Sequence, residues 1–90
     1  MDPYEFTERL AEYARAHFSE RDADDVELMS GAGEFDSAVD VFLVVADEGS
    51  YPVSSDLLDE VERYANEPDA CELVPQWRKR LRRLWRATLN

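Results

Sequence analysis

Much of what chemistry needs is scarce in these 90 residues. There is one cysteine, Cys71, so no internal disulfide can form, which fits a reducing compartment. One histidine and one cysteine are too few for a zinc site, and no metal or cofactor is expected. Three glycines and four prolines suit a folded domain better than a linker or a low-complexity tail. No long apolar run is present, so no membrane-spanning helix is expected. The start, Met1-Asp2-Pro3-Tyr4-Glu5, is acidic and lacks the apolar stretch of a secretory signal, so the expected location is cytoplasmic. Lysine is nearly missing, with nine arginines against Lys79 alone.

What is abundant is apolar residues, at 44%, and acid. The length suits one domain, 1–90, with a modest core. The net charge is −11, unevenly placed. From Pro75 onward there are six bases and no acid, so with +6 in that tail-piece residues 1–74 carry −17. Such a body repels free nucleic acid and attracts a basic protein. The excess of arginine and acid also fits a protein adapted to high salt, in which case function need not explain the charge.

Helical spacing is clearest at the start. Asp2 can cap a first helix, with Pro3 at its first position and Glu5 three residues after the cap. Phe6, Leu10, Tyr13, Ala14 and His17 then recur on one face, and the helix fades near Ser19. Asp22-Ala23-Asp24-Asp25 lacks the glycine and final glutamate of a calcium loop and reads as a solvated turn. Ser30-Gly31-Ala32-Gly33 lacks the Lys-Ser/Thr pair of a phosphate loop.

The run Ala38 to Ala46 is ambiguous. Its valines favour a strand, and Val26 and Leu28 can alternate on a partner strand. Against this, Asp36, Asp40 and Asp47 share one side of a helical wheel, while Phe35, Ala38, Val39, Phe42, Val45 and Ala46 fall largely on another. An acid inside a buried strand is costly, so the pattern favours a helix, capped by Asp36 or Ser37 and closed by Gly49. After the extended Tyr51-Pro52, Ser54 or Ser55 caps a further helix with a stripe of Leu57, Leu58, Val61, Tyr64 and Ala65, stopped by Asn66 and Pro68. A basic amphipathic helix spans 75–90, with Trp77, Leu81, Leu84, Trp85 and Thr88 on one face. The expected architecture is all-α with three to four helices. The alternative is α+β, with a β-hairpin at about 24–46 flanked by helices.

Catalysis has little support. His17 lies on the apolar side of the first helix and reads as a packed or boundary residue rather than a general base. Cys71 has no histidine beside it and is flanked by Asp69 and Glu72, which disfavour a thiolate. No catalytic residue is assigned. The basic helix has three readings. It can pair with the acidic body, contact nucleic acid through Arg78, Lys79, Arg82, Arg83 and Arg86, or lie on an anionic membrane or in a partner's groove. The acidic body offers a different site. Asp36, Asp40, Asp47, Asp56, Asp59, Glu60 and Glu62 can steer association with a basic protein, with Tyr51 and Tyr64 as aromatic anchors.

Gly31-Ala32-Gly33-Glu34-Phe35, then Ala38, Tyr51-Pro52-Val53 and Leu57-Leu58 resemble a pattern of small helical immunity proteins of bacterial polymorphic toxins. That pattern is a Gly-Glu-aromatic step into one helix, a short turn and a second acidic helix. It covers the middle third of the chain, and the valine-rich Val39 to Val45 run and the Trp/Arg-rich end depart from it. The resemblance implies neutralisation of a cognate toxin by binding, with no catalytic residue. The functional expectation is therefore a small acidic inhibitor whose carboxylates occupy sites meant for phosphates. A nucleic-acid-associated regulator working through the last helix is the alternative. The oligomeric state is open.

Overall fold

Asp2 opens the first helix as its spacing predicts. Its carboxylate accepts from the backbone N–H of Tyr4 at 2.9 Å and of Glu5 at 3.3 Å, and Pro3 takes the first helical position. The computed structural model describes residues 2–68 and 70–89, apart from the side chain of Leu89. Asp69, read above as a neighbour of Cys71, lies outside the described residues.

Five helices form, with no strand among the described residues: α1 (Pro3–His17), α2 (Glu20–Gly31), α3 (Phe35–Glu48), α4 (Ser55–Ala65) and α5 (Val74–Leu89). The class is all-α, but the count exceeds three to four, and the β-hairpin over 24–46 is replaced by α2 and α3. The extra helix is α2. Asp22-Ala23-Asp24-Asp25 is not a solvated turn but lies within the first two turns of α2, opened by Ser19, whose hydroxyl accepts from the Asp22 N–H at 3.2 Å. Acids in a first turn suit the dipole. Its buried residues, Ala23, Val26 and Ser30, follow a period of three to four, while Leu28 points outward and is 71% exposed. The Val26/Leu28 alternation was therefore accidental.

The valine-rich run is helical. It starts at Phe35, with Glu34 in the cap position and no side-chain cap bond, so neither Asp36 nor Ser37 caps it. Ser54 holds the cap position of α4, also without a side-chain bond. Gly49 does follow α3, but with an ordinary φ of −85°, and the left-handed residue is Ser50, at φ 55°. The end of α2 is more usual, with Gly33 left-handed at φ 77°.

α1, α2 and α3 pack on one another, α5 lies against both α3 and α4, and α1 touches α4 more lightly. α3 is therefore central. One continuous core runs through all five helices, from Phe6, Leu10 and Val26 through Phe42, Leu43, Leu58 and Val61 to Trp77 and Leu81. Thr7 and Ser30 are the buried polar exceptions, and their hydroxyls bond each other at 2.7 Å, tying α1 to α2. Among the described residues no helix is long and apolar enough to cross a membrane.

Candidate functional site

The acidic stripe of α3 faces the protein's own helices. Asp36 accepts the Tyr64 hydroxyl of α4 at 2.7 Å, and Asp40 accepts the Trp77 indole N–H of α5 at 3.0 Å. Burial, and then the Asp36 carboxylate, push the Tyr64 hydroxyl far above its ordinary value. Asp47 is held between Arg80, at 2.9 Å, and Arg83, at 2.7 Å, with its side chain only 11% exposed. The Arg83 hydrogen bond lowers the Asp47 pKa against the opposing effect of burial. An acid at a helix C-terminus is unfavourable toward the dipole, and two guanidiniums offset it.

The remaining residues of the expected surface divide in two. Glu62 accepts the Trp85 indole N–H at 3.1 Å, and Glu60 accepts Arg9 Nε of α1 at 3.0 Å. Tyr51 leans on Phe18, with ring centroids 4.9 Å apart, and is half-buried. Only Asp56 and Asp59 stand exposed with no hydrogen bond or ion pair among the described residues. The α5 cations divide likewise. Arg80 and Arg83 close on Asp47, Arg78 donates to the Asn66 side-chain oxygen at 2.6 Å, and Arg82 reaches only the Arg78 carbonyl, at 3.5 Å. Lys79 and Arg86 are exposed and unpaired among the described residues.

One surface depression was not singled out in the sequence. It follows the seam between α1 and α4, where contact is light. One part, of about 610 Å³, is lined by Asp2, Glu5, Arg63, Asn66 and Glu67. The other, of about 390 Å³, is lined by Glu12, Tyr13, Ala16, His17, Asp56 and Leu57. Arg9 and Glu60 border both, so their ion pair divides one groove into two compartments. The α1 half has a sequence signal, the row Asp2, Glu5, Arg9, Glu12 at helical spacing along a well-capped helix. That α4 would lie antiparallel to it has none.

The groove can hold a cation with an aliphatic stem: carboxylates on the rim, and Tyr13, Ala16 and Leu57 beneath. Of the two places expected for His17, packed or at the boundary, the packed one does not hold. The histidine is exposed and stacked on Tyr13, with ring centroids 4.1 Å apart. Cys71 is half-buried. Among the described residues no three His, Cys, Asp or Glu side chains converge to hold a metal ion. No protein-family model, curated protein or solved structure matches the chain.

Proposed function

We propose that this chain is a binding protein that recognises a basic partner protein and blocks it by occupancy, as the immunity-protein resemblance implies. The supporting observation is the surface left after internal pairing. Asp25 on α2 and Asp56 and Asp59 on α4 are exposed and without partners among the described residues. Glu5 and Glu12 on α1 make no hydrogen bond, and both act on Arg9 only through space. Against a net charge of −11, a basic partner is drawn in by the whole field, and its association rate falls with salt. Asp40 and Asp47 are half-buried and already paired within the protein, and Asp36, though exposed, accepts the Tyr64 hydroxyl, so the unpaired acids carry this reading.

The test is capture from a native lysate, followed by association kinetics of the retained protein with wild type and with the Asp56→Asn/Asp59→Asn variant. The variant should associate about three- to tenfold more slowly, with a shallower salt dependence. A partner that is not basic, or unchanged rates, would remove the proposal.

A second reading has one observation in its favour. Arg78, Lys79, Arg82 and Arg86 form an exposed cationic edge on α5 with no carboxylate partner among the described residues. Nucleic acid can contact such an edge through phosphates, against repulsion from the rest of the body. Absence of retention of a labelled oligonucleotide at about 0.05 M salt removes it.

A further inference from the structure

The α1–α4 seam combines four things. It is long: α1, Pro3–His17, covers 15 residues, about 22 Å at the α-helical rise. It has an acidic rim, with Glu5 and Glu12 on one side and Asp56 and Glu60 on the other. It has an apolar floor at Tyr13 and Leu57. And it already contains a guanidinium, that of Arg9, bound to one rim carboxylate.

That ion pair is loosely made. Arg9 meets Glu60 through Nε alone, at 3.0 Å, and the side chains are 44% and 21% exposed. A bidentate arginine–carboxylate pair is stronger than this, and exposed single pairs contribute little. Glu60 therefore keeps acceptor capacity for an incoming cation, and exchanging one guanidinium for another changes little in the free protein.

We infer that the α1–α4 seam docks a basic amphipathic helix of the partner, and that Arg9 holds in advance the place the partner's arginine takes at Glu60. This rests on the basic-partner reading above and narrows it to one surface and one partner shape. The cationic face of such a helix meets the rim, and its apolar residues reach Tyr13 and Leu57. Before docking, Arg9 shields Glu60 and competes with the partner for it.

The competition gives the test an unusual sign. The probe is a synthetic helical peptide with arginines four apart along one edge and leucines beside them, titrated at about 0.15 M salt, where screening suppresses diffuse attraction. Arg9→Ala should tighten binding by about threefold or more, because Glu60 is released. Arg21→Ala makes the same change in net charge at an exposed α2 position and should leave affinity unchanged. Glu60→Gln and Asp56→Asn should each weaken binding by about tenfold, and so should exchanging the peptide's leucines for serine. Backbone amide shifts on titration should follow α1 and α4.

If Arg9→Ala weakens binding, or matches Arg21→Ala, the placeholder role is overturned. If the peptide binds but the shifts fall on α2 or α5, the seam is overturned and the basic-partner reading stands. If no basic probe binds, both fall. A doubled mass in sedimentation without peptide that Glu12→Gln abolishes makes a second copy the occupant, and also overturns the inference.

Discussion

Gly49 and Ser50 exchange the places that glycine and serine usually take at the end of a helix. The bonds from the Ser50 N–H to Asp47 O, at 3.2 Å, and from the Tyr51 N–H to Ala46 O, at 2.9 Å, close α3 in the way that normally puts glycine in the left-handed position. Here that position is Ser50, and the glycine before it answers a different need. A Cβ on Gly49 would lie 2.5 Å from Tyr51 Cε2 and 2.9 Å from the Val45 carbonyl. Gly49→Ala should therefore destabilise by about 1–3 kcal/mol, read from the urea midpoint. Ser50→Gly should stabilise by about 0.5–1 kcal/mol, since relief of the left-handed cost exceeds the added chain entropy. The glycine was legible as a helix stop, but its role as room for a ring two residues on was not, because that depends on where Tyr51 folds back. The Thr7–Ser30 pair was equally invisible. Thr7→Val should cost about 1–3 kcal/mol by stranding the Ser30 hydroxyl, and adding Ser30→Ala should recover part of it in a double-mutant cycle.

At the scale of the helix, α3 shows how much of a charged pattern can be used inside the fold. The wheel placing Asp36, Asp40 and Asp47 together is right, and so is the helix. A charged face is not simply an outer face: Asp36 is exposed, whereas Asp40 and Asp47 are half-buried. Two aromatic donors and two arginines from α4 and α5 meet that stripe, and no spacing within α3 announces them. A measurable consequence concerns acid. The Asp47 pKa is lowered in the folded chain, so the carboxylate adds stability above its unfolded value of about 3.9 and loses it as pH falls through the lower folded value. Asp47→Asn should lower the melting temperature at pH 7 and flatten its fall below about pH 4. The helix α5 is held chiefly by Trp77, which is fully buried, whereas Trp85 is half-buried. Trp77→Ala should cost about 3–5 kcal/mol, a large part of such a domain's stability, and Trp85→Ala distinctly less, by denaturant melts followed by circular dichroism.

On the scale of the whole molecule, the charge dominates. At −11 the folded chain repels itself, and its few ion pairs are mostly exposed, so screening should help more than it harms. The melting temperature should rise by several degrees between about 0.01 M and about 1 M sodium chloride. A fall would show that the ion pairs outweigh the repulsion. The helical class, the capped start of α1 and the tryptophan face of α5 could all be read in one dimension, because each is a local pattern. The groove could not, because it depends on two helices separated by nearly forty residues lying antiparallel.

The position of α3, central in the chain as well as in space, has a consequence for the order in which the protein is made. A nascent chain that stops before residue 35 has α1 and α2 but lacks the helix on which both rest, so Phe6, Leu10 and Val26 remain uncovered. Once Glu48 has left the ribosome, three mutually packed helices can close, and α4 and α5 arrive at a surface already waiting for them. Arrested chains ending near 50 should thus resist protease far better than those ending near 34, the difference between them being a single helical segment of 14 residues.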